Sequence, residues 1–359
     1  MKPRELFFEL IHVAVGSRDS LSEACPEKVW ERAFKIAKKQ TLQGVLYSAI
    51  ERLPKDQCPP LEPIVRWWRA SESAEKKYAQ LDEAGKTAVA FFREHGFPCQ
   101  ILKGTSVARY YPQPERRLCG DVDLWLDGGR KKIYEFARSY DKDGMLYGVN
   151  YHHIHFHLIE DVEIEVHIYP SYLSSPFKNR RLHKFFDLYR PTMESDTPCL
   201  AFDRVFILLH CFSHITGHGV GLRQIMDYYY VLLQGFSEQE REESVEWIKS
   251  LGMGRFAKGM MWELQTVFAM APEYLLMEPD EKEGRFILDE VMLTGNMGHG
   301  DKRKWGSTKS PLSRFFFNLR RDLYLARHYP SEALWQPFFS LWLYFWRLFH
   351  GLLKDREEE

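Results

Sequence analysis

Two closely spaced carboxylates are the residues of this chain whose type and spacing point most directly to chemistry. Asp121 and Asp123 lie two residues apart in the segment "DVDLWLD". Residues with this spacing on a β-strand point to the same face, about 7 Å apart along the backbone. Two acids so placed repel each other unless a cation lies between them, and their oxygens suit Mg²⁺. The alternative is a solvated outer face of a sheet.

A third carboxylate follows in the segment "VEIEVHIY", where Glu165 is flanked by Ile164 and Val166. The alternation predicts a strand whose opposite face is apolar. His167 lies two residues further on and therefore shares the face of Glu165. We expect His167 to orient Glu165 or to contact a substrate.

A glycine turn precedes the acidic pair. Lys103, Gly104, Thr105 and Ser106 lie where a short apolar run, predicted to be a buried strand, gives way to a short helix. A glycine at such a turn lets backbone N–H groups approach a phosphate, and the helix N-terminus attracts its charge. Arg116, with Arg117 beside it, comes just before the acidic strand and is suited to phosphate oxygens.

Together these motifs resemble those of the DNA polymerase β-like nucleotidyltransferases. The stretch "ILKGTSVARYYPQPERRLCGDVDLWLD", followed by "EIEVHIYP", is most similar to the bacterial group described as uncharacterised nucleotidyltransferases. That group carries an L-K-G, a tyrosine-proline, an arginine before D-x-D, and an E-x-H. The matching motifs run from Leu102 to His167. One departure is Thr105, where the superfamily usually has serine or glycine, although the hydroxyl is kept.

The resemblance implies a role for each matching residue. Three carboxylates would hold two Mg²⁺ ions, with Mn²⁺ as a substitute, and would be catalytic: Asp121, Asp123 and Glu165. The nucleotide phosphates would be bound by Lys103, Gly104, Thr105, Ser106 and Arg116. The implied substrate is an NTP such as ATP, whose nucleoside monophosphate is moved to a hydroxyl-type acceptor on a small molecule, peptide or protein, releasing pyrophosphate.

Five histidines cluster between Tyr151 and Pro170. His153, His155 and His157 would share one strand face and span about 13 Å, which is too far for all three to bind one tetrahedral zinc. Two neighbours could bind as an H-x-H pair, but the sequence offers no clear third ligand, unless the register brings His167 to face them. Three interpretations of the strand are open: a lining of the cleft, a solvated face, or a zinc site.

Asp227 lies four residues after Arg223 in a segment predicted to be helical. This spacing favours an ion pair along the helix. The alternative is that the helix closes the cleft and that Asp227 lies on the substrate side and positions the acceptor.

The overall composition narrows the range of partners. The chain has 359 residues, with 49 basic and 50 acidic side chains. This balance argues against a surface dedicated to long nucleic acids, so none is expected as a partner. Six scattered cysteines without a CxxC pair are typical of free thiols, and together with a polar N-terminus they predict a cytoplasmic protein.

Hydrophobic periodicity predicts an α+β fold. A small mixed sheet in residues 96–190 would form the nucleotidyltransferase core. It would be flanked by an N-terminal helical segment, residues 1–95, and a C-terminal helical domain, residues 191–359. The apolar stretch from Leu334 to Lys354 is interrupted by polar residues, so neither a membrane span nor a membrane contact is expected there. The glycine- and lysine-rich segment 294–311 is interpreted as a connector or a lid.

Two other functions remain open at this point. The chain could be a non-catalytic nucleotide-binding or interaction protein that keeps the fold without turnover. It could also be a zinc hydrolase that uses the histidine-rich strand.

Overall fold

Four short strands form one mixed sheet near the middle of the chain. The computed structural model describes residues 1–140, 148–217, 219–298, 301, 303 and 311–349. The strands are β1 Cys99–Ile101, β2 Val122–Leu126, β3 His153–His155 and β4 Ile164–His167. In the described residues their order is β1-β2-β4-β3, with β2 and β4 parallel and the other two pairs antiparallel. The predicted α+β class with a small mixed sheet is therefore confirmed.

Strand β2 is buried along its whole length because both faces of the sheet are covered. Val122, Leu124 and Leu126 pack in a hydrophobic cluster on one face. Trp125 points to the other face, where its ring stacks 5.5 Å from that of Phe202. Since side chains alternate along a strand, Asp123 shares the face of Trp125. An aspartate at this position is removed from water, and its charge must be compensated by the protein.

Four helices precede the sheet. They are α1 Pro3–Ala14, α2 Glu27–Lys39, α3 Gln43–Ile50 and α4 Leu61–Glu94. The long helix α4 lies against the sheet with its second half, where Leu81, Val89 and Phe92 join the cluster around β2. Gly85 permits the close approach, since a Cβ atom there would lie 2.9 Å from Ile101 Cδ1.

Among the described residues two α-helices lie between the strands, and the remainder follow the sheet. The first group is α5 Thr105–Ala108 and α6 Gly129–Tyr140. The second group is α7 Pro176–Leu188, α8 Leu200–Thr216, α9 Leu222–Leu232, α10 Glu238–Ser250, α11 Gly254–Val267, α12 Glu281–Thr294, α13 Pro311–Leu325, α14 Pro330–Ala333 and α15 Gln336–Phe349.

The first helices and the later ones share one hydrophobic core. Phe7 of α1 and Trp30 of α2 belong to the same buried cluster as Phe206 of α8 and Met260 of α11. Helix α4 contributes to both clusters, with Trp67 in the shared core and its later residues on the sheet. The domain boundaries at residues 95 and 190 stay a prediction. The buried cluster around the sheet extends across the first boundary, and the shared core extends across both.

The aromatic C-terminal segment forms helix α15, with a solvent-facing side that includes Phe338 and Phe349. No described helix combines the length and apolar character that crossing a bilayer requires. Residues 350–354 of that segment lie outside the described residues, as do residues 299–300, 302 and 304–310 of the glycine- and lysine-rich segment.

Glu263 of α11 is an acid in the core whose ionisation opposes folding. It is fully buried, and neither oxygen has a hydrogen-bond partner in the described part of the chain. Burial raises the pKa of Glu263 well above its usual value, with the charge of Asp289 acting in the same direction. The folded protein therefore keeps this proton at a pH where the unfolded chain has released it.

We expect stability to fall as the pH rises above the ordinary glutamate pKa, by at most about 1.4 kcal/mol per pH unit until the folded pKa is reached. Glu263→Gln should remove this component of the slope between pH 5 and pH 8. Urea unfolding at both pH values, with exposed Glu273→Gln as the control, measures the difference. Parallel pH profiles for wild type and Glu263→Gln would contradict the assignment.

Candidate active site

The register of the two parallel strands brings two of the three predicted carboxylates side by side. Asp123 of β2 lies directly opposite Glu165 of β4. Their face is the one on which Trp125 packs against Phe202 of α8. The acid pair is therefore on the side of the sheet that is turned toward the later helices.

Strand β3 brings histidines to the other side of Glu165. His155 lies opposite Glu165 in the antiparallel register, and His153 lies opposite His167. Strand β3 ends at His155, so His157 lies beyond it and is exposed. The predicted alignment of three histidines on one strand thus holds for two of them.

Asp123 is the buried centre of the cluster. Its Oδ1 lies 2.9 Å from Lys103 Nζ and 2.8 Å from His167 Nε2. Its Oδ2 is buried and has no hydrogen-bond partner in the described residues. Burial alone would raise the pKa of Asp123, but Lys103 and His167 outweigh burial and hold that pKa below its usual value. Asp123 is therefore ionised at neutral pH.

His167 joins the two acids. Its Nε2 is 3.3 Å from Glu165 Oε2 as well as 2.8 Å from Asp123 Oδ1, so this nitrogen carries a proton. Burial would lower the pKa of His167, but the two carboxylates raise it to about 9. Burial likewise opposes the ionisation of Glu165, and the hydrogen bond from His167 reverses this and keeps the Glu165 pKa far below its usual value. The predicted proximity of His167 to Glu165 is present in the geometry.

Asp121 lies just outside this centre. It precedes the first residue of β2 and is partly exposed. The charge of Asp123 and burial raise the pKa of Asp121 to about 6, against the opposing effects of Lys103 and Arg223. The two aspartates are thus electrostatically coupled, but only Asp123 is paired directly with Lys103.

Three overlapping groups in the described residues could hold a metal ion, with ligand atoms within 4.8 Å of one another. One is Asp123, Glu165 and His167, and the other two draw on the histidines before and within β3. Asp121 belongs to none of the three groups. Its predicted place as a metal ligand stays a prediction.

The glycine turn lies against the acidic pair. Gly104 adopts a φ of +67°, and a Cβ atom there would lie 3.4 Å from the Asp121 carbonyl oxygen, so the position favours glycine. The backbone N–H groups of Gly104 and Thr105 donate to no acceptor in the described residues. Helix α5 has only four residues, so phosphate binding at the turn would depend on these N–H groups rather than on a long helix dipole. Ser106 is buried, and its hydroxyl accepts a hydrogen bond from Arg109 at 2.6 Å.

Arg116 faces the N-terminal helices. Its guanidinium forms ion pairs with Glu51 and, at 3.1 Å, with Glu75. The structure thus does not bring Arg116 together with Asp123 and Glu165 in a direct contact. Its role in phosphate binding stays a prediction, and it would require these ion pairs to open.

Asp227 pairs with a residue other than the expected one. Arg117 donates to it twice, from Nε at 2.6 Å and from Nη2 at 2.7 Å, and the Tyr111 hydroxyl donates at 2.7 Å. The expected ion pair with Arg223 is absent from the described contacts, and the bidentate pair with Arg117 is present instead. The substrate-side role of Asp227 stays a prediction, since this carboxylate is already buried and paired.

Arg223 is a residue that sequence reasoning did not assign to the site. Its Nη1 donates to the Leu118 carbonyl, and its buried Nε has no acceptor in the described residues. Burial and the charge of Arg117 lower the pKa of Arg223. The positive charge of Arg223 in turn opposes the rise in the pKa of Asp121. The signal available in the sequence was its position at the start of a helix after the glycine-rich "GHGVG".

Comparison with known proteins agrees with this geometry at the level of the family. The model of a family described as uncharacterised nucleotidyltransferase matches residues 26–269, which include the whole sheet and helices α2 to α11. No curated protein and no solved structure matches the chain. The matched segment contains Asp121, Asp123 and Glu165 together with the glycine turn, and the chain therefore belongs to the uncharacterised nucleotidyltransferase family.

Proposed function

We propose that the protein transfers a nucleoside monophosphate from an NTP to a hydroxyl-type acceptor on a small molecule, a peptide or a protein, and releases pyrophosphate. The observation that carries this proposal is the direct pairing of Asp123 with Glu165 across two parallel strands, beside the glycine turn at Gly104. Membership of a nucleotidyltransferase family supports the reaction class.

The residues present suit a divalent cation. Asp123 Oδ2 is a buried carboxylate oxygen without a partner in the described residues, and such an oxygen is costly unless a cation or donor meets it. Carboxylate oxygens are the ligands that Mg²⁺ prefers. Asp121, Asp123 and Glu165 would hold two Mg²⁺ ions, with Mn²⁺ as a substitute. When bound, the ions would acidify the acceptor hydroxyl and neutralise the leaving pyrophosphate.

Positively charged side chains of the protein would bind the phosphates. The acids around Lys103 raise its pKa above the usual value despite burial, so it remains a cation. Arg223 supplies a second cation, with a buried Nε that lacks an acceptor in the described residues. Guanidinium groups bind phosphate oxygens with good geometry. We assign Lys103 and Arg223, with the N–H groups of Gly104 and Thr105, to the triphosphate.

His167 would position the acids rather than move a proton. It donates to both Asp123 and Glu165 and so fixes the two carboxylates relative to each other. Because the Glu165 pKa is held low, this carboxylate is a weak base, and its contribution would be to hold the cation and to orient the acceptor.

Calorimetric titration of ATP, GTP, CTP and UTP in the presence of Mg²⁺ tests the proposal. We expect Mg²⁺-dependent binding of at least one NTP to the wild type. Binding should be lost in Asp121→Asn/Asp123→Asn, with circular dichroism at the titration temperature to show that this variant is folded, and it should be unchanged in the control Asp19→Asn/Asp56→Asn, whose aspartates are exposed. Failure of the wild type to bind any of the four nucleotides would overturn the proposed function.

A further inference from the structure

Strand β3 presents two imidazoles to one carboxylate of its neighbour. We propose that His153, His155 and Glu165 bind a divalent transition-metal ion, with Zn²⁺ as the representative ion. The three side chains each offer a ligand atom, and these atoms lie within 4.8 Å of one another. Two histidines and one carboxylate form an open ligand set that leaves coordination positions for water or substrate.

The distances at this site suit an ion better than hydrogen bonds. His153 Nδ1 is 3.8 Å from Glu165 Oε2, and His155 Nε2 is 4.0 Å from Glu165 Oε1. Both separations exceed the range of a hydrogen bond. Two ligands bound to one zinc at about 2.0–2.2 Å in tetrahedral geometry lie roughly 3.4 Å apart. The three ligand atoms lie within 4.8 Å of one another, so binding an ion would draw them together by about 1.4 Å at most.

A neighbouring acid orients one of the ligands. His155 Nδ1 lies 3.0 Å from Glu163 Oε1, while its other ring nitrogen faces Glu165. A histidine that binds a metal through one nitrogen usually gives its other N–H to a carboxylate or carbonyl, which fixes the tautomer and the ring orientation. The contact with Glu163 therefore leaves the Nε2 lone pair of His155 directed at the proposed site.

The other histidines are less suited to the role. His167 Nε2 carries a proton because it lies between Asp123 and Glu165, so it has no lone pair to offer. His152 lies before β3, and its Nε2 is 3.1 Å from His153 Nδ1. An ion at His153 Nδ1 would replace that hydrogen bond.

The ligand chemistry separates this site from the proposed magnesium site. Imidazole nitrogens favour zinc and its transition-metal neighbours, whereas Mg²⁺ prefers oxygen ligands. Glu165 belongs to both sites, so an ion held by the two histidines would compete for this carboxylate. The inference does not depend on nucleotidyl transfer, because it concerns metal binding by the nucleotide-free protein.

Calorimetric titration of the metal-stripped full chain with Zn²⁺, and the visible absorption of bound Co²⁺, test the site. We expect one strong site per chain. His155→Gln should weaken Zn²⁺ binding by more than about 100-fold, and Glu163→Gln should weaken it by about 10-fold or more, as loss of an orienting partner does. His157→Gln removes an exposed histidine outside the site and should leave binding unchanged.

Asp121→Asn separates this inference from the proposed function. It should retain Zn²⁺ binding, because Asp121 belongs to none of the ligand groups. Circular dichroism of each variant reports whether it has folded. Equal Zn²⁺ affinities for folded His155→Gln and wild type would overturn the inference, and so would a Co²⁺ spectrum that is unchanged in the variant. Neither result would bear on NTP binding.

Discussion

Replacing Glu165 with glutamine is expected to reduce nucleotidyl transfer by about a thousandfold or more. Bound metal ions stabilise charge in the transition state by several kcal/mol, and each 1.36 kcal/mol corresponds to about a tenfold change in rate. Glutamine keeps the size and one carbonyl oxygen of Glu165 but removes the negative charge. The rate of pyrophosphate release, with the NTP that binds in calorimetry, measures the effect.

Glu165 is a cleaner test of the chemistry than Asp123. Asp123 is fully buried and lies between Lys103 and His167, so Asp123→Asn would leave two cations without their shared anion. Breaking such a buried network is strongly destabilising, which would mix folding with catalysis. The Glu165 side chain keeps 18% of its surface exposed, and its loss leaves His167 paired with Asp123.

Exposed Glu160→Gln, on the same connection between β3 and β4, is the matched control and should leave the rate unchanged. Thermal unfolding should show both variants folded at the assay temperature. A folded Glu165→Gln protein that retains transfer within about tenfold of wild type would contradict the assignment of Glu165 to the catalytic centre.

The sequence predicts the strands of the site better than their contacts. Alternating apolar residues around Asp123 and Glu165 are enough to identify β2 and β4, and the glycine turn marks the end of β1. Repulsion between Asp121 and Asp123 is weaker than their spacing alone implies, because Lys103 and His167 compensate the charge of Asp123. Those contacts depend on strand register, which local sequence does not specify when the strands are connected by long segments.

The partners of the two adjacent arginines likewise cannot be predicted from the local sequence. Arg116 and Arg117 are indistinguishable by residue type, yet one pairs with Glu51 and Glu75 and the other with Asp227. Which arginine turns inward depends on how the segment before β2 packs against α9, a contact between residues more than 100 positions apart. A spacing of four along a helix favoured Arg223 for Asp227, but the bidentate geometry of Arg117 prevails in the fold.

The buried pair of Arg117 and Asp227 gives the largest stability effect that we expect. Both side chains are at most 5% exposed, and the pair joins the segment before β2 to helix α9. Arg117→Met should lower the free energy of unfolding by about 3–5 kcal/mol, because it leaves a carboxylate buried without its cation. Urea unfolding at pH 7 measures the loss.

The neighbouring arginine supplies the control for this prediction. Arg116→Met removes ion pairs whose carboxylates, Glu51 and Glu75, are partly exposed, and it should cost about 1 kcal/mol or less. The double variant Arg117→Met/Asp227→Leu should recover much of the loss, since a well-packed apolar pair avoids the desolvation of both charges. If Arg117→Met costs no more than Arg116→Met, the pair does not stabilise the junction with α9, and the alternative interpretation of the sequence, a substrate-side role for Asp227, gains support.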